Sequence, residues 1–182
     1  MSLPVAIGIC EDELRFDLTF LKAFAGQTVD LRVTPIRGGT LDGKAARLVT
    51  RQISAMQEVG LPVQAVVVHH DADKASFRHR VSQIESWFQS NRFARKGLSL
   101  VVCAPDPCLE RWLCTIEGHR ASIRGTRPSS GCRPWKQAWA RGRGIPLDRV
   151  REAAEKARGV LQGQSDFDRF FQDWRSAGLE PL

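Results

Sequence analysis

The stretch Leu61-Pro62-Val63-Gln64-Ala65-Val66-Val67-Val68-His69-His70-Asp71-Ala72-Asp73 decides the fold. Ala65–Val68 is a short, β-branched apolar run of the kind needed by a strand buried on both faces. Gly60 and Pro62 punctuate it on one side, and two histidines and a D-x-D close it on the other. Such a strand belongs to a parallel sheet covered by helices, and the flanking sequence agrees. Val5–Cys10, Leu31–Ile36 and Leu98–Cys103 supply three further strands. Leu14–Ala25, Leu41–Val59 and Lys74–Phe88 read as the intervening helices, with apolar residues at helical spacing, as in Val81, Ile84 and Phe88. Pro107–Ile116 begins the next helix with proline in its first turn. A β-α unit repeated four times predicts an α/β fold, an open parallel four-stranded sheet with helices on both faces.

After Gly118 the periodicity fades, and residues 118–134 read as a surface loop. Helices are expected over about 134–140, 146–161 and 166–176. This divides the chain into an α/β core over 1–117 and, over 118–182, a basic loop and C-terminal helical extension packed on that core. The 182 residues, 42% hydrophobic and 26% charged, suffice for a buried core and exclude global disorder. No apolar run approaches the ~20 residues of a membrane-spanning helix. The N-terminal MSLPVAIGIC lacks a basic region before its apolar stretch, so a cytoplasmic protein with no membrane partner is expected. The five cysteines contain no C-x-x-C pair, which argues against a zinc knuckle or disulfide framework; Cys10 and Cys103 read as small buried residues.

The net charge of +7 is unevenly placed. Residues 1–110 hold 13 basic and 12 acidic side chains, and residues 144–182 hold six and seven. Residues 111–143 hold eight basic residues, Arg111, Arg120, Arg124, Arg127, Arg133, Lys136, Arg141 and Arg143, against the single acid Glu117. A patch of this density suits nucleic acid or nucleotide phosphates. Taken alone, it is somewhat more readily a solvated arginine-rich loop.

Carboxylates gather at the other end of the argument. In open parallel sheets ligands bind at the carboxyl ends of the strands. Strand one ends in Glu11-Asp12-Glu13, strand three in Asp71-Ala72-Asp73, and strand four leads through Asp106 to Glu110. Each alone reads as a helix N-terminus or a solvated loop. Together at one edge they repel one another unless a cation intervenes, and hard oxygen ligands on short loops favour Mg²⁺ or Mn²⁺. In an extended D-x-D, positions i and i+2 face the same side. Of His69 and His70, one is expected to enter the sheet packing and the other to face the site.

The combination resembles the Toprim domain, the metal-dependent catalytic module of topoisomerases, primases and OLD-type nucleases. Its glutamate after the first strand corresponds to Glu11 in Ile9-Cys10-Glu11, and its D-x-D to Asp71 and Asp73. Pro107-Cys108-Leu109-Glu110-Arg111-Trp112 is similar to the P-C-x-E-x-W segment of small Toprim-like proteins of bacterial restriction and phage defence, and Lys136 fits the basic residue that follows downstream. Asp12 replaces the glycine usual after the first glutamate, which leaves Glu13 as an alternative to Glu11.

The resemblance implies a metal-dependent nuclease. Glu11, Asp71 and Asp73 would hold the metal, Glu110 would ligate or orient a water, and Glu13 would serve as base. Lys136, Arg133 or Arg111 would stabilise charge on the scissile phosphate. Gly38-Gly39-Thr40 is either a phosphate cradle or a tight turn. Trp135 and Trp139 could stack on bases, whereas Trp112 reads as core. No GxxxxGK[ST] motif is present, so a separate sensor or ATPase is expected as partner. Two other readings stand beside this one, an inert Toprim-like binding module and a receiver domain. Gly8–Glu13 resembles the receiver's acidic pair, but the chain holds no Lys-Pro dipeptide and no Ser or Thr at the end of strand four.

Overall fold

A computed structural model describes residues 3–11, 15–36, 41, 43–73, 75–118 and 132–179. Four parallel strands form one open sheet, β1 (Val5–Glu11), β2 (Asp30–Ile36), β3 (Val63–His69) and β4 (Ser99–Cys103), in the order β2-β1-β3-β4. Helices α1 (Phe16–Ala25), α2 (Gly43–Glu58) and α3 (Phe77–Ser90) link the strands, and α4 (Leu109–Ile116) follows β4. Three more helices complete the chain, α5 (Arg133–Ala140), α6 (Pro146–Val160) and α7 (Ser165–Ser176). The architecture is the expected Rossmann-like one with a helical C-terminal extension. Among the described residues no helix is long and apolar enough to cross a membrane.

Strand alternation divides the core in two. Ala6, Cys10, Ala65, Val67, Val101 and Cys103 point to one face, where α1, α4, α6 and α7 cover them. Ile7, Ile9, Val66, Val68 and Val102 point to the other, beneath α2 and α3. The C-terminal helices are part of the first layer: Phe167, Phe170 and Trp174 of α7 pack with Phe24 of α1 and Trp112 of α4. Gly8 is required by close approach, since a Cβ there would lie 2.9 Å from Val33 Cγ2 on the neighbouring strand.

One buried acid ties this extension to the sheet edge. Asp166, in the first turn of α7 and 3% exposed, accepts hydrogen bonds from the Asp106 backbone N–H (2.9 Å), Trp112 Nε1 (2.8 Å) and Arg111 Nη2 (2.6 Å). Removing the carboxylate strands a guanidinium and two N–H donors. Asp166→Ala is therefore expected to lower unfolding free energy by about 3 kcal/mol, the usual cost of breaking a buried pair from one side. Chemical denaturation monitored by tryptophan fluorescence measures it, and a loss within 0.5 kcal/mol of zero, roughly the scale of an ordinary surface substitution, would refute the role.

Candidate functional site

The order β2-β1-β3-β4 reverses the winding between β1 and β3, and the crevice at that reversal lies at the carboxyl ends of these strands. Beyond β3 the chain continues beside the segment after β4, with His70 N–H donating to Cys103 O (3.0 Å), Ala72 to Pro105 O (2.9 Å) and Asp73 to Pro107 O (2.8 Å). This pairing fixes where the D-x-D lies. Asp71 is half-buried, and its Oδ1 accepts from the N–H of Leu109 (3.1 Å) at the start of α4, where the helix end favours an anion. Asp73 departs from the expected extended geometry. It takes a left-handed φ of 54° and stands exposed, a conformation its short polar side chain tolerates.

Burial pushes the Asp71 carboxyl well above the ordinary range, and the charges of Asp17, Glu110 and Asp73 push it further, against the Leu109 N–H. Glu110, in the first turn of α4, is itself buried. Lys136 of α5 faces the same cluster. Burial opposes its charge, yet Glu110 and Asp71 more than compensate and raise its pKa. The structure thus brings Asp71, Asp73, Glu110 and Lys136 into one electrostatic neighbourhood. A cleft of about 330 Å³ opens beside Glu110 and Lys136, with Phe16, Trp139 and Arg149 on its walls.

The two histidines part company because successive strand residues face opposite sides. His69 is fully buried, with Nε2 3.5 Å from Asp17 Oδ1 and 3.8 Å from Asp71 Oδ1. Neither ring nitrogen has a hydrogen-bond partner among the described residues. Burial lowers its pKa to about 3, with His70 adding to the effect, so the ring is neutral and one of its nitrogens is an acceptor. His70 faces Glu11 instead. Arg80 of α3 donates to His70 Nε2 (3.0 Å), and because a guanidinium only donates, Nδ1 is left to carry the hydrogen toward Glu11 Oε2, 2.8 Å away. That contact is close but off-line, so neither atom has an aligned partner among the described residues. It nonetheless holds the Glu11 carboxyl below its ordinary pKa.

Glu11 is therefore engaged by His70, whereas Asp17 is a neighbour of Asp71 that sequence reading passed over. Asp17 sits in the first turn of α1, where an acid looks like ordinary helix-end chemistry, and nothing in its spacing marks it. Arg111 is engaged by Asp166, while Arg133, Arg141 and Arg143 are exposed. Trp112 and Trp139 are buried, and the Arg149 guanidinium lies 3.7 Å over the Trp139 ring. Glu13, Arg120, Arg124, Arg127 and Gly38-Gly39-Thr40 lie outside the described residues.

The crowding around Asp71 fits a divalent cation, because positive charge there relieves repulsion and neutral His69 has one ring nitrogen able to accept. The same crowding opposes folding in the metal-free chain. The folded state holds the Asp71 proton more tightly than the unfolded chain, so this group withdraws stability as pH rises through its folded pKa. Asp71→Asn is expected to raise the melting midpoint of metal-free protein at mildly alkaline pH by roughly 2–4 °C, the shift that about 1 kcal/mol produces at this size. The gain should close as pH falls toward the ordinary value of 3.8. Mn²⁺ should stabilise the wild type and not the variant. Calorimetry across pH reads all three, and an equal or lower alkaline midpoint for the variant would contradict the crowding. In comparisons with known proteins, no family model, no curated protein and no solved structure matches the chain.

Proposed function

We propose that this chain is a divalent-metal-dependent nuclease, a hydrolase of phosphodiester bonds in DNA or RNA. The observation that carries the reading is the gathering of Asp71 with Asp73 and Glu110, and of Lys136 with Asp71 and Glu110, at the carboxyl edge of the sheet, with exposed Arg133 on the same helix as Lys136 and exposed Arg141 and Arg143 just after it. The Toprim resemblance of Glu11, the D-x-D and Glu110 supports it.

Asp71 and Asp73 would hold the cation, backed by Asp17 and His69; Glu11, the resemblance's glutamate, would contribute once released from His70. A bound Mg²⁺ or Mn²⁺ supplies Lewis-acid charge to the phosphoryl group. Glu110, buried beside Lys136, orients the attacking water and takes its proton. Lys136, kept protonated by the surrounding carboxylates, stabilises the charge that develops on the phosphoryl oxygens. Arg133, Arg141 and Arg143 hold flanking phosphates and set no sequence preference.

Purified protein incubated with single- and double-stranded DNA and RNA tests this. Cleavage is expected with Mg²⁺ or Mn²⁺ and not with chelator. It should fall about 100-fold or more in Asp71→Ala and Lys136→Ala, the scale for removing a charge-stabilising group. Arg141→Ala and Arg143→Ala should leave the metal response intact and each reduce the salt slope of binding by roughly one. Binding without cleavage, unchanged by Asp71→Ala, would point to an inert nucleic-acid module. Stable phosphorylation of Asp71 by a small phosphodonor would point to a receiver domain.

A further inference from the structure

Cys108 and Cys132 are each the residue before a helix, α4 and α5, and neither makes a side-chain capping bond. Their thiols turn toward each other and toward the D-x-D. One donor atom each from Asp71, Cys108 and Cys132 lies within 4.8 Å of both others. Cys132 Sγ is also 3.0 Å from Asp73 Oδ1 and 3.4 Å from Pro107 O. We propose that Asp71, Asp73, Cys108 and Cys132 form a thiolate–carboxylate site for a zinc-class dication.

The donor set has the number that such an ion requires, and Asp71, Cys108 and Cys132 have the spacing. Tetrahedral zinc with bonds of about 2.3 Å to sulfur and about 2.1 Å to oxygen places its ligand atoms roughly 3.6 Å apart. Asp71, Cys108 and Cys132 lie within 4.8 Å of one another and Cys132 Sγ lies 3.0 Å from Asp73 Oδ1, so these separations approach that value, and Asp73 enters as the fourth ligand from beside Cys132. Three segments converge, the end of β3 and the starts of α4 and α5, so small side-chain rotations close the site without moving a strand. Asp71 is already oriented by the Leu109 N–H and backed by His69, as ligating carboxylates are. Two thiolates and two carboxylates carry four negative charges; the dication and the neighbouring Lys136 ammonium offset three of them. Mg²⁺ demands oxygen ligands in an octahedron and does not use the sulfurs. Thiophilic and hard cations therefore compete for Asp71 and Asp73, and the two sulfurs give the thiophilic ion the advantage. On the nuclease reading above, this makes a zinc-class ion an inhibitor of the Mg²⁺-dependent reaction; the binding itself does not depend on that reading.

Anaerobic titration of the reduced, metal-free full chain with Co²⁺ tests the site. The expected result is a near-ultraviolet thiolate-to-cobalt charge-transfer band and intense tetrahedral visible bands, saturating at one equivalent. Zn²⁺ should abolish both, and a large excess of Mg²⁺ should leave the thiolate band in place. Cys132→Ser should cut the band by half or more, since one of two thiolates is lost, and Asp73→Asn should weaken Co²⁺ binding about tenfold or more. Cys114→Ser, a buried cysteine outside the cluster, should change nothing. Cys108 is fully buried, so Cys132→Ser, at a half-buried position and checked by circular dichroism, carries the test if Cys108→Ser fails to fold. No charge-transfer band at one equivalent, or a full band in folded Cys132→Ser, would overturn the proposal. Co²⁺ bound in this way by a chain that cleaves no nucleic acid would keep the site and sink the nuclease reading; a nuclease without the band would do the reverse.

Discussion

Repulsion among carboxyl groups at the end of β3 is the constraint around which this edge of the molecule is organised. Asp71 sits among Asp17, Glu110 and Asp73, three acids brought in by α1, α4 and its own strand end. No packing requirement demands that arrangement, and a chain optimised for stability alone would spread these charges apart. The surrounding structure holds them together by specific means: the first N–H of α4 on Asp71, the ammonium of Lys136, and a neutral imidazole at His69. A tension of this sort between stability and placement is what functional sites are built on.

The scaffold that bears this tension depends on a second acid of opposite character. Asp166 is buried but fully partnered, and its three donors belong to the loop after β4 and to the start of α4. Through it the C-terminal extension steadies the backbone that carries Cys108, Leu109 and Glu110. A mutation on α7 is thereby felt at the candidate site without touching it.

The fold was readable because its strands announce themselves. Ala65–Val68 is apolar at every position, and the helices between strands repeat at 3.6 residues, so the open parallel sheet followed directly. The ends of elements were less exact: α4 begins at Leu109 rather than Pro107, and α3 at Phe77 rather than Lys74. Within the site, Asp71, Asp73 and Glu110 were visible from their place after strands. Asp17 was not, because a first-turn acid has an ordinary explanation. By sequence Arg111 belongs with the phosphate-binding residues, because sequence shows a charge but not its partner, and Asp166 lies 55 residues away. Cys108 and Cys132 meet only because α4 and α5 begin at the same place in space, which no spacing rule reveals. The His69–His70 division needed the strand's alternation together with the positions of α1 and α3.

That division bears on how β3 finds its place. Val66, Val67 and Val68 are alike as buried matter, so within this run hydrophobic burial distinguishes neighbouring alignments only weakly. What distinguishes them is the polar end. Sliding the strand by one residue would trade the two histidines, setting His70 against Asp17 and His69 against Glu11 and Arg80, and would carry Asp71 off the start of α4. The residues proposed to do chemistry are thus also the ones that index the central strand, and the molecule reads its own alignment from them.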